Sequence, residues 1–123
     1  MSTKILINGR DLSKRGGGTK AYLSGLINAL DTFMDDDVEI IVLTNKMESF
    51  DHEKIHYIFS KIKNPLLFDI LIMTRTAIQV NADVIIGTKY FVPFIPNTLL
   101  ISVIYDLGYF HPKLDAYTFL DRF

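Results

Sequence analysis

Three consecutive glycines, Gly16, Gly17 and Gly18, stand between a short apolar strand and a long amphipathic helix, the junction that opens an α/β unit. The strand, residues 4–8, carries Ile5, Leu6 and Ile7, a run short enough to be buried on both faces. After Thr19, Leu23, Leu26, Ile27, Leu30 and Met34 recur at helical spacing and mark one buried face. The glycines therefore lead into a helix. Lacking side chains, they let a ligand approach the backbone, and the N–H groups of a first helical turn favour an anion such as phosphate. Lys14, Arg15 and Lys20 beside the loop suit that role. They suit an ordinary solvated surface equally well, with the glycines as a flexible connection, and the local sequence leaves both open.

The remaining chain alternates strand and helix without repeat or linker. Asp35, Asp36 and Asp37 form an acidic turn, and residues 38–44 (VEIIVLT) read as a second strand rich in branched side chains. A polar connection leads to residues 55–59 (IHYIF), a short edge strand. Asn64 followed by Pro65 is a helix start, an N-cap with proline at the first helical position, and the spacing predicts Leu67, Ile70, Leu71, Thr74 and Ile78 as its buried stripe. Asn81 suits a left-handed cap at its end. Residues 82–86 (ADVII) and 99–104 (LLISVI) are continuous apolar runs of the kind found in parallel sheets. Beyond Pro112 a further helix is expected, with Leu114, Tyr117 and Leu120 inward. Right-handed crossovers then give a doubly wound, mainly parallel five-stranded Rossmann-like sheet of order 3-2-1-4-5. Ligands of such sheets bind beyond the carboxyl ends of the strands where the order reverses, and residues 9–18, 87–90 and 105–112 should meet there.

Composition narrows the function. The 123 residues make one domain of common size, and 49% hydrophobic content supplies its core. A net charge of -1 and the lack of a basic stripe argue against nucleic acid as a partner. Without cysteine there is no disulfide, thiol catalysis or thiolate metal site. His52 and His56 lack the partner spacing of a zinc site, and no metal is expected. The N-terminus does not read as a signal peptide and no apolar run is long enough for a membrane span, so a cytoplasmic protein is expected.

Gly16 to Ala21 fits the dinucleotide pattern G-x-G-x-x-A in letters only. The fingerprint should follow its strand almost directly, and the second strand ends in Thr44-Asn45 where a ribose-binding acid belongs. The order Gly-Thr-Lys also fails the Gly-Lys-Ser/Thr of a phosphate-binding Walker loop. Three longer segments, taken in order, resemble the N-terminal domain of the family-4 glycosyltransferases, retaining enzymes of the two-domain GT-B fold. KILINGRDLSKRGGGTKAYLSGLINAL is similar to their first strand, glycine-rich loop and first helix. ADVIIGTKYFVPFIP resembles the fourth strand and its loop, and LISVIYDLGYFHP the fifth strand with its His-Asp-Leu motif. The resemblance covers nearly the whole chain.

It implies a GT-B N-terminal half over residues 1–123, with the second domain absent and the first shortened. Such a half supplies the acceptor surface of an enzyme that transfers a sugar from a nucleotide-sugar to a hydroxyl acceptor. The nucleotide-sugar is substrate, and no separate cofactor is implied. Gly16, Gly17, Gly18 and Thr19 would lie against the donor's phosphates and sugar, Lys20, Thr88, Tyr90 and Tyr105 would contact substrate, and Asp106 would be catalytic. The family's His-Asp pair appears here as Tyr105-Asp106, and Ile86 replaces a histidine often found at the end of the fourth strand. Tyrosine can hydrogen-bond a sugar hydroxyl but cannot act as an imidazole near neutral pH. A chain of this kind is expected to be inactive alone and to associate with a second half or with itself. Phe91, Phe94, Tyr109 and Phe110 are candidates for the wall it would cover. The alternative is a non-catalytic binding or interaction module on the same scaffold.

Overall fold

The computed structural model describes residues 2–13, 15–46, 52–87 and 93–103. Five strands form one sheet: Thr3–Asn8 (β1), Val38–Thr44 (β2), Ile55–Phe59 (β3), Val84–Gly87 (β4) and Leu99–Ser102 (β5). Every pairing is parallel and the order is β3-β2-β1-β4-β5. The protein is thus an open doubly wound α/β sheet, as the alternation of apolar runs and helical stripes implies. In register, Ile7 of β1 stands between Val42 of β2 and Ile86 of β4. The central strand contributes alternate side chains to both faces of the sheet.

A helix, Gly18–Phe33 (α1), crosses from β1 to β2 and buries Leu23 and Ile27 against Ile7, Ile40, Val42 and Ile55. The second helical segment runs continuously through Pro65–Leu67 (α2), a π-helical stretch Phe68–Ile72 and Met73–Val80 (α3). It packs Phe68, Met73 and Ala77 on the opposite face, against Leu6, Ile41, Leu43 and Ile85. Asn64 caps it, its side-chain oxygen accepting from the amides of Leu66 and Leu67. Asn81 ends it in the left-handed conformation, φ 55 and ψ 52.

Its buried face differs from the one the spacing predicts. Leu67, Ile70, Leu71 and Ile78 are exposed, and Phe68, Asp69, Met73, Thr76 and Ala77 are buried in their place. The run 66–73 is apolar at every position except Asp69, so two apolar stripes compete. The one turned inward carries Phe68 and Met73 and brings Asp69 to the end of β1. β5 is also less enclosed than its sequence suggests, with Leu99 and Ile101 exposed at the sheet edge.

A hydrogen-bonded chain fastens the edge strand to α1. Asn28 Oδ1 can only accept, so His52 Nε2 donates to it at 2.6 Å, and His52 Nδ1 accepts from the Tyr57 hydroxyl at 2.7 Å. The Lys54 amide donates to Asp31 Oδ1 at 2.8 Å. Burial, and then the Asp31 carboxylate, push the Tyr57 phenol up to about 12, so it remains a donor throughout the neutral range.

At the end of β1 the Gly9 amide donates to the Leu43 carbonyl at 2.7 Å. A Cβ at Gly9 would lie 2.6 Å from Val42 Cγ1 and 2.8 Å from the Leu43 oxygen, so only glycine fits without displacing backbone. Gly9→Ala is accordingly expected to lower stability by about 2 kcal/mol. Urea unfolding measures this, and a loss within experimental error would show that β2 yields freely.

Candidate functional site

Alternation along β1 points Leu6 and Asn8 to the face covered by the second helical segment. Asn8 Nδ2 there donates to Asp69 Oδ1 at 2.9 Å. Arg10 begins a turn of 3-10 helix, Arg10–Ser13, and its guanidinium holds the same carboxylate by two bonds, Nε to Oδ1 at 3.0 Å and Nη2 to Oδ2 at 3.1 Å. The Arg10 amide donates to Asn8 Oδ1 at 3.0 Å, closing the network. Both charged side chains are almost enclosed, at 12% and 11% exposure, and this fork-to-fork geometry is the strongest form of carboxylate pairing. Asp11, buried, brings a second carboxylate to within 4.0 Å of Arg10 Nη1. The carboxyl end of the central strand is thereby locked to the helix on one face, while the 3-10 turn directs the chain toward the glycines.

Gly16, Gly17 and Gly18 are exposed. Gly17 is the N-cap of α1 with φ 111 and ψ 166, a conformation confined to glycine. It has no side chain to cap the helix, and the first turn contains no acidic residue, so that turn supplies no counter-charge of its own to the positive end of the helix dipole. The first intrahelical bond in this turn runs from the Ala21 amide to the Gly17 carbonyl. A Cβ built at Gly16, Gly17 or Gly18 meets no described atom within 4 Å. Thr19 and Lys20 follow in the first turn, both half-buried.

Of the residues expected at the site, Gly16, Gly17, Gly18, Thr19 and Lys20 thus lie together at the carboxyl edge of the sheet. Gly87 ends β4 at that edge, its carbonyl bonded to the Val103 amide. Thr88, Tyr90, Tyr105 and Asp106 lie outside the described residues, as do Lys14, Phe91, Tyr109, Phe110 and His111. Phe94 is described and exposed. His52 has the fastening role given above, and His56 is exposed. Among the described residues no cluster of three or more His, Asp or Glu side chains could hold a metal ion. No described helix is long and apolar enough to cross a membrane.

Sequence reasoning passed over Asn8, Arg10 and Asp69. The available signals were a polar residue ending a buried strand and a lone aspartate inside an apolar helical run. No family model, curated protein or solved structure matches the chain.

The network carries its own test. Asp69→Ala leaves a nearly enclosed guanidinium without its partner and is expected to destabilise the fold by about 3 kcal/mol in denaturant unfolding. Replacing both ends, Arg10→Met with Asp69→Leu, should recover most of that loss. A single-variant effect below about 1 kcal/mol would show that the pair behaves like an exposed one.

Proposed function

We propose that the chain is the acceptor-side half of a glycosyltransferase that moves a sugar from a nucleotide-sugar to a hydroxyl acceptor. The observation that carries this reading is the uncapped start of α1. Gly17 holds a glycine-only conformation at the start of α1 and gives the helix terminus no side-chain cap, which supports an anionic ligand there. The resemblance of the three segments to the family-4 enzymes supplies the identity of that anion, the diphosphate of the donor.

In this reading the amides around Gly17 and Gly18 receive phosphate oxygens, each such local interaction contributing roughly 0.3 to 1 kcal/mol. Lys20 adds a cation to the same turn. Asp106 and Tyr105, which follow β5, and Thr88 and Tyr90, which follow β4, contact the sugar and the acceptor. The Arg10–Asp69 pair keeps the loop's origin fixed, so little reorganisation is needed when the donor arrives. The groups that stabilise the departing diphosphate belong to a second half, which would close over this edge and exclude water.

A non-catalytic interaction module is the second reading. The exposed stripe of Leu66, Leu67, Ile70, Leu71 and Ile78 favours it, because an apolar surface of this extent on one helical segment is normally covered.

Amide shifts under titration with UDP-glucose test the loop. Gly18 has ordinary backbone angles and open space around its Cβ position, so Gly18→Val blocks the approach without the strain that Gly17 would suffer. The expected result is loss of the UDP-glucose response at Gly17, Gly18 and Thr19 with the thermal midpoint almost unchanged. No response in the parent chain at millimolar ligand would make the loop a plain connection.

The isolated chain should also give only background hydrolysis of nucleotide-sugars, and light scattering at micromolar concentration should report a dimer or larger species. A monodisperse monomer that transfers sugar would overturn both the half-enzyme reading and the association.

A further inference from the structure

The second helical segment turns toward solvent the kind of face that a helix usually buries. Of the residues exposed between Asn64 and Val80, Leu66, Leu67, Ile70, Leu71 and Ile78 are large and apolar, and Arg75 alone is charged. Leu67, Leu71 and Ile78 recur at helical spacing along a segment about 24 Å long. A surface helix ordinarily carries its charged and polar side chains on this side. An apolar stripe in their place calls for a covering surface. The five side chains expose on the order of 500 Å², and two such faces together reach about 1,000 Å², the threshold of a specific interface.

The two ends of the segment specify what covers it. Lys61 and Lys63, both exposed, precede its first turn, where the positive end of the helix dipole disfavours them. The other end has no basic residue in its last turn to complement its negative pole. Asp83 follows there, exposed, its carboxylate held by the Lys4 amide, which donates to Oδ2 at 2.9 Å. Each end therefore lacks what the other supplies. One segment cannot bring its own ends together, but two copies laid antiparallel match both pairs of ends at once. A parallel pairing would set the lysines of one copy against those of the other.

We infer that this face is the interface of a homodimer, in which two copies of the segment pair antiparallel about a twofold axis level with Ile72 and Met73. In that register Leu67 meets Ile78 of the second copy, Leu71 meets Thr74, and Lys61 and Lys63 reach Asp83. The same patch serves both copies, so the assembly closes at two. The inference is independent of the sugar-transfer reading, because the stripe lies on the helix and the glycine loop at the carboxyl edge of the sheet. It assigns a surface to the association expected above.

The test uses the whole chain, whose lack of cysteine makes site-directed cross-linking clean. Leu67→Cys and Ile78→Cys proteins, mixed and oxidised, should cross-link to each other. Neither should cross-link to itself, because like positions lie about 16 Å apart along the antiparallel pair. In sedimentation equilibrium, Leu71→Lys, a change at an exposed position, should weaken the dimer about a hundredfold, roughly tenfold from each copy, with the circular dichroism unchanged. Lys61→Glu with Lys63→Glu should weaken it about tenfold at low salt and less at high salt. A parent chain that stays monomeric at submillimolar concentration, a dimer that survives Leu71→Lys, or self-cross-linking of Leu67→Cys would each overturn the inference. So would a monomer whose thermal midpoint falls on Leu71→Lys, since the chain itself would then cover the stripe. UDP-glucose shifts at Gly17 and Gly18 report on the donor loop in the same protein, so failure of the dimer and failure of the sugar-transfer reading are told apart.

Discussion

Asp69 accepts hydrogen bonds from Asn8 and from both arms of the Arg10 fork, and in doing so it joins the central strand, the turn that follows it and the helical segment on one face. Ion pairs this enclosed add little net stability over a well-packed apolar contact, but losing one partner is severe. Their value here is geometric. The carboxylate must face inward, so the helix must present Phe68 and Met73 to the sheet and carry Leu67, Ile70 and Leu71 outward. The π-helical stretch Phe68–Ile72 lies at this point, where a widened turn readjusts the angle at which successive side chains leave the helix. The buried stripe is thus the one that lets Asp69 reach Asn8 and Arg10.

The strands were legible because a parallel sheet buried on both faces demands nearly continuous branched residues. β2 and β3 run over the residues their sequences mark, and the cap of Asn64 with Pro65 and the left-handed Asn81 have local causes that sequence displays directly. The sheet order followed from handedness and short connections. The helix face was not legible. Its two candidate stripes differ little in apolar content, and the choice depends on a partner 59 residues away, Arg10, which no local period contains. β5 misled for a related reason. Its apolar run suits a central strand, yet nothing described covers Leu99 and Ile101 on its outer position.

The site divides in the same way. Glycines before a helix announce an open helix terminus, and the structure adds that Gly17 alone of the three requires glycine for its backbone while Gly16 and Gly18 leave space. An open groove at the same edge, lined among the described residues by Ser13, Asn45, Lys46 and Lys63, was invisible because these residues come from three separate connections. Asn45 and Lys46 look like an ordinary polar exit from a strand, and Lys63 like a solvated loop residue. Only the parallel register, which ends β1, β2 and β3 at one edge, brings them together.

The position of β1 also sets an order of assembly during synthesis. Its pairing with β2 needs only the α1 crossover, and β3 joins soon afterwards, so one half of the sheet can form while the ribosome is still adding later residues. The other edge of β1 must wait for β4, where the Lys4 amide meets an Asp83 oxygen across 79 residues of sequence. Until then the middle strand of the finished sheet is an edge, with an apolar row and unpaired backbone groups open to any passing strand. The strand at the centre of the finished sheet therefore has both its edges paired only once β4 is made.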